Sequence, residues 1–69
     1  MTNRQFAAEI GVTESYASLI RAGKRLPGAA ALVEIVIKFE LDANEVVQAY
    51  ARGPKALAEF LNERLPRVE

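Results

Sequence analysis

Cysteine and histidine are both absent from this 69-residue chain. The first absence removes disulfides, thiolate metal ligands and a nucleophilic thiol together. The second removes the commonest metal ligand and the commonest general base. With neither, a structural zinc site is excluded. No apolar run approaches the ~20 residues of a membrane-spanning helix, and no charged, apolar, cleavable leader pattern opens the chain. Strand signals are missing too, because the one β-branched stretch, Val33 to Ile37, sits inside a helical period. There is no repeat and no low-complexity tract. Carboxylate pairs such as Glu59 and Glu63 lie i, i+4 on a solvated helix face with no nucleophile or metal-binding partner nearby. The expectation is a soluble, cytoplasmic, all-α domain that is not an enzyme and takes no cofactor or small-molecule ligand.

What is present is small and charge-balanced. One domain of this length buries only about 60% of its unfolded surface, so it usually needs a staple or a partner. Nine basic residues balance nine acidic ones. Their distribution is uneven. Residues 1–27 carry four basic and two acidic side chains, and residues 28–50 carry one basic and four acidic. The tail, 51–69, has four basic against three acidic. A basic first segment beside an acidic middle suits a protein that presents one end to a polyanion.

Punctuation predicts a small bundle of five short helices. Thr2 followed by Gln5 is a capping box, and Phe6, Ala7 and Ile10 then share a face up to the stop at Gly11. Thr13 caps a second helix, Glu14 to about Ala22, with Ala17 and Ile20 inward and Gly23 as its stop. Lys24-Arg25-Leu26-Pro27-Gly28 is a basic turn. A third helix, Ala29 to about Glu40, carries Leu32, Val33, Val36, Ile37 and Phe39, and is expected to be the core helix. Asp42 with Glu45 reads as a second capping box, leading into Val46, Val47 and Tyr50 and ending at Gly53. Pro54 then opens a last helix with Leu57, Phe60, Leu61 and Leu65 on one face, and Pro66 to Glu69 should fray.

The stretch Asn3 to Pro27 carries the functional signal. Ala7 stands four residues before Gly11, where two helix backbones must approach, while Ile10, Val12 and Ile20 supply apolar filling. A helix-turn-helix needs a small residue at the crossing, glycine in the turn and apolar residues behind the second helix. That second helix turns Glu14, Ser15, Ser18, Leu19 and Ala22 outward, a short-chained face able to enter a major groove.

On these residues the chain resembles the phage Cro/repressor-type helix-turn-helix family, also called the xenobiotic-response-element family. Phe6-Ala7-Ala8-Glu9-Ile10-Gly11-Val12-Thr13 is similar to the family's second helix and turn. Ser18-Leu19-Ile20-Arg21-Ala22-Gly23-Lys24-Arg25-Leu26-Pro27 is similar to its recognition-helix end and glycine-basic-basic-x-proline loop. Leu41-Asp42-Ala43-Asn44-Glu45 also follows the pattern, so the resemblance covers about residues 2–50. It implies a sequence-specific, Cro-like repressor that binds an inverted-repeat operator in double-stranded DNA as a homodimer. Thr13, Glu14, Ser15, Ser18 and Leu19 match the family's groove-facing positions. Asn3, Lys24 and Arg25 match its phosphate-contacting ones. Arg4 either contacts phosphate or is solvated, and Tyr16 either bonds phosphate or packs. Two departures stand out. Arg21 occupies the place of the family's usual glutamate, and the chain begins at the counterpart of the motif's own first helix rather than at a preceding one.

Residues 1–53 therefore read as a DNA-binding domain and 54–69 as a helix that completes the core or forms the dimer interface through Leu57, Phe60, Leu61 and Leu65. The alternatives are a helical protein-interaction module (an antirepressor or adaptor) that does not bind DNA, and an excisionase-like architectural DNA binder.

Overall fold

A computed structural model of the chain describes residues 1–65. Five helices follow one another: α1 (Asn3–Ile10), α2 (Glu14–Arg21), α3 (Ala29–Lys38), α4 (Ala43–Arg52) and α5 (Pro54–Arg64). No strand occurs among the described residues, and no helix there is long and apolar enough to cross a membrane. The protein is all-α. The fraying expected at Pro66 to Glu69 lies outside the described residues.

Helix starts follow from side chains that reach unpaired backbone N–H groups. At α1 the capping box is complete. Thr2 Oγ1 accepts from the Gln5 N–H at 3.1 Å, and Gln5 Oε1 accepts from the Thr2 N–H at 2.8 Å. Thr13 Oγ1 caps α2 by accepting from the Tyr16 N–H at 3.1 Å. At α4 only half of the expected box forms: Asp42 accepts from the Glu45 N–H at 3.1 Å. The Glu45 carboxylate instead lies 3.8 Å from the Arg64 guanidinium. Two neighbouring carboxylates repel, and the cation relieves one of them.

The core joins Phe6, Ala7 and Ile10 of α1 to Ala17 and Ile20 of α2, Ile35 of α3, Val46 and Ala49 of α4, and Leu57 and Leu61 of α5 with Leu65 just beyond it. Helix α1 packs on α2 and α3, while α5 packs on α2 and α4. The α1–α2 crossing is close because buried Ala7 and Ala17 have little side chain to separate the backbones. Phe6 stacks on Phe39 with ring centroids 5.7 Å apart, tying α1 to the end of α3.

Gly23 is where α5 docks. Its φ of +77° is left-handed, and a Cβ there would sit 3.1 Å from the Lys55 Cα. Glycine is thus required twice, for conformation and for approach. Leu57, Leu61 and Leu65 are buried and Phe60 is half-buried beneath Arg64. Of the two uses expected for that stripe, packing within the chain is the one observed, and α5 belongs to the same core as the first four helices.

Helix α3 corrects an expectation. Only Ala31 and Ile35 are buried, whereas Val33 and Ile37 are 54% and 62% exposed. Leu32, Val36 and Phe39 are half-buried. The physical reason is neighbours: α3 has its principal packing against α1 alone, so one stripe is covered and the next is not. The helix also ends at Lys38, short of Glu40, which takes φ +52° as the left-handed stop. Val47 on α4 is likewise 59% exposed.

Candidate nucleic-acid interface

Helix α2 presents its polar side outward by simple periodicity. With Ala17 and Ile20 fully buried, the 3.6-residue turn sends Glu14, Ser15, Ser18, Leu19 and Ala22 to the surface, and all five are exposed. Glu14, Ser15, Ser18 and Leu19 line a shallow concavity together with Asn3 from the start of α1. Thr13 is exposed but does not line it, and its oxygen is engaged in the cap of α2. Four of the five groove-facing candidates from the sequence therefore share one concave face, and Thr13 precedes it as the cap.

Cations flank this face at both ends. Arg4 stands at the N-terminal end of α2, its Nε 3.9 Å from a Glu14 carboxylate oxygen. Both side chains are largely solvent-exposed, so the pair is loose and contributes little stability. Its effect is to offset the one anionic charge on the face. Lys24 and Arg25 follow the C-terminal end and are exposed. An α-helix with its side chains is about 10–12 Å across, a cross-section that the ~12 Å width of a B-DNA major groove admits.

The basic loop is fixed rather than trailing. Tyr16 Oη accepts from the Gly28 N–H at 2.8 Å, and the Arg25 guanidinium lies 5.0 Å from the Tyr16 ring centroid. Pro27 is buried beneath the loop. Of the two roles expected for Tyr16, the packing one is visible: it staples residues 24–28 to α2. The Lys24 N–H bonds the Leu19 carbonyl at 3.0 Å, completing the helix stop that Gly23 begins.

Arg21 and Asn62 were not among the sequence candidates, and they bind the site together. Arg21 Nη1 donates to the Met1 carbonyl at 2.8 Å and to Asn3 Oδ1 at 3.3 Å. Its Nε donates to Asn62 Oδ1 at 3.4 Å, and Asn62 Nδ2 donates to the Arg21 carbonyl at 3.1 Å. The guanidinium also lies 5.7 Å from the Phe6 ring centroid. One side chain thus fixes the start of α1, the end of α2 and the last turn of α5 relative to each other. The signal was in the sequence as a departure, since arginine stands where the resembled family has glutamate. Asn3 is half-buried and held by Arg21, which positions it beside Ser18 rather than leaving it loose at the chain start.

The chain matches no family model, no curated protein and no solved structure.

Proposed function

We propose that this chain is a sequence-specific DNA-binding transcriptional regulator of the Cro-like repressor type. It inserts α2 into the major groove of an inverted-repeat operator, two copies per site, and excludes polymerase by occupancy without a cofactor. It works in the cytoplasm, on the nucleoid of a prokaryotic or phage-infected cell. The observation that carries this reading is the outer face of α2: short polar side chains on a helix clamped by Ala7, Ala17 and the Arg21 network, with exposed cations at both ends.

Roles divide by reach. Thr13, Glu14, Ser15, Ser18 and Leu19 read base edges, with Glu14 able to accept from a cytosine amino group and Leu19 able to contact a thymine methyl. Arg4, Lys24, Arg25 and the Asn3 amide sit on phosphates and fix register. Tyr16 contributes by holding Arg25 and the loop in place.

Selection from a random duplex pool tests binding, sequence and symmetry together. Lys24→Ala should weaken binding to all duplexes and flatten the log–log salt slope by about one unit. Ser18→Ala should shift preference at one or two base pairs. Identical behaviour of both variants on selected and random DNA would remove these roles. The exposed apolar residues of α3 and α4 favour a second reading, an antirepressor or adaptor that binds protein and not DNA. A mobility shift at two salt concentrations separates the two, because that module would retard no duplex at either.

A further inference from the structure

Among the described residues every lysine and arginine is exposed except Arg21, which is half-buried. Its hydrogen-bond acceptors, the Met1 carbonyl, Asn3 Oδ1 and Asn62 Oδ1, are all uncharged. Arg4 and Arg64 each have a carboxylate within 4 Å, whereas no carboxylate of the described residues lies that close to Arg21. A cation partly withdrawn from water without a counter-charge is unfavourable, and the same withdrawal strengthens its attraction for an incoming anion.

The guanidinium also has donors left over. It carries five N–H groups in a planar fork. Nε serves Asn62 and Nη1 serves Met1 and Asn3, so both N–H groups of Nη2 are unused within the described residues. Because arginine can only donate, Asn3 must turn its amide oxygen to Arg21, which leaves its NH2 group as the end available to a ligand. Asn3, Ser18, Arg21 and Asn62 line one open cleft with Ala22 and the chain's first two residues, and no Asp or Glu lines it.

We propose that this cleft is a phosphate-binding site, in which Arg21 Nη2, the Asn3 NH2 group and the Ser18 hydroxyl donate to the oxygens of one phosphate group. Donors from two crossing helices suit a tetrahedral anion better than a carboxylate, whose two oxygens lie in one plane. The proposal deepens the DNA-binding reading and rests on it for the source of the phosphate. Asn3 and Ser18 line both this cleft and the concavity shared with Glu14, Ser15 and Leu19. A strand phosphate in the cleft therefore sits beside the bases that Ser18 faces. Glu14, Ser18 and Arg21 follow at i, i+4, i+7 along one ridge of α2, about 10 Å from first to last. Unlike the exposed Lys24, Arg21 is already held by three hydrogen bonds and loses little freedom when a phosphate arrives. A free phosphate group offers the same oxygens, so the test has one arm without DNA and one with it.

Two-dimensional 1H–15N NMR of the full chain reads the first arm, with sodium phosphate replacing sodium chloride at constant ionic strength. The Arg21 Nε–H, the Asn3 and Asn62 NH2 groups and the Ser18 amide should shift and saturate, with a Kd on the order of 1 mM. Signals of Lys24 and Arg25 should move less and not saturate. Asn62→Asp places the missing counter-charge beside Arg21 on the same side-chain frame. It should weaken phosphate binding at least ~10-fold with an unchanged circular dichroism spectrum, since Asn62 is exposed. Asn3→Asp is the second variant and should act alike, because a carboxylate at the start of α1 also favours the helix. In the second arm, mobility shifts on selected duplex, Asn62→Asp should weaken binding at least ~10-fold and flatten the log–log salt slope by about one unit.

Shifts that are absent from the cleft or fail to saturate overturn the proposal, as does a folded Asn62→Asp or Asn3→Asp protein with wild-type phosphate affinity. Duplex binding that persists in that case leaves the DNA-binding reading standing. Saturable phosphate binding by a chain that retards no duplex upholds the site, assigns it to a free phosphate group and removes the DNA-binding reading. Phosphate binding with an Asn62→Asp protein that holds duplex like the wild type overturns the strand-phosphate assignment alone.

Discussion

Helices α2 and α3 are successive in the chain and similar in length, yet each buries just two side chains by opposite routes. Helix α2 has only two large aliphatic residues, Ile20, which is fully buried, and Leu19, which is 39% exposed. Helix α3 is apolar almost throughout and leaves Val33 and Ile37 in water. The first is held on two sides, by α1 and by α5; the second principally on one. Burial here is set by how many neighbours a helix has, not by how apolar it is. The difference also separates two kinds of surface. The α2 face is polar and supported from two sides, while the α3–α4 face is apolar.

The sharpest way to break that contrast is to remove apolar volume from each side. Leu61 is fully buried, whereas Val47 is 59% exposed. Leu61→Ala should cost about 2–5 kcal/mol, comparable to the roughly 3–5 kcal/mol that a core of this size supplies in total. Most of the helical signal should be lost at 25 °C. Val47→Ala should stay within about 0.5 kcal/mol of wild type for the monomer. Urea titrations followed by circular dichroism measure both. A Val47→Ala protein as crippled as Leu61→Ala would mean that the α3–α4 face is core after all.

A second pair sharpens the claim that α5 docks through the loop after α2. Gly11 and Gly23 are both left-handed, at φ +73° and +77°, but a Cβ on Gly11 meets nothing within 4 Å. On Gly23 it would meet the Lys55 Cα at 3.1 Å and the Ala58 Cβ at 3.4 Å. Gly11→Ala should cost about 1–2 kcal/mol from conformation alone. Gly23→Ala should cost that plus about 1 kcal/mol of crowding. Equal midpoints in urea would show that α5 shifts away freely, and the two-sided support of α2 would lose its main contact.

Much of this was legible before any coordinates. The Thr2 and Thr13 caps, the glycine stops and the Gly53-Pro54 break are local chemistry, and the helices begin and end within two residues of where those signals place them. The outward face of α2 was equally readable, because two buried positions and a 3.6-residue period determine the rest. The misreadings were about partners. Hydrophobicity alone placed α3 at the centre, but no periodicity tells how many helices will pack on it. The α5 stripe was correctly read as needing burial, and whether that burial is within the chain depends on Gly23 admitting Lys55, a contact 32 positions apart. Arg21 could be noticed only as an oddity, since its partners lie at Met1, Asn3 and Asn62.

The smallest expected effect is a gain. Helices α2 and α3 end with the same pair of backbone hydrogen bonds. In α2 the Gly23 N–H reaches the Ile20 carbonyl at 3.2 Å and the Lys24 N–H reaches Leu19 at 3.0 Å. In α3 the Glu40 N–H reaches Ile37 at 3.3 Å and the Leu41 N–H reaches Val36 at 3.0 Å. The motif puts its stop residue in the left-handed region, which glycine enters without the steric cost of a Cβ. Helix α3 uses Glu40 there, at φ +52°. Glu40→Gly should therefore stabilise the protein by about 0.5–1 kcal/mol, the relieved strain exceeding the added freedom of the unfolded chain. Glu40→Ala is the control, for it removes the carboxylate while keeping the Cβ. It should give no gain, and an equal gain from both variants would assign the effect to charge in the acidic middle of the chain instead of to backbone conformation. Since both helices stop with the same hydrogen-bond pattern, it is the open apolar face, with Val33 and Ile37 exposed, that distinguishes α3 from α2.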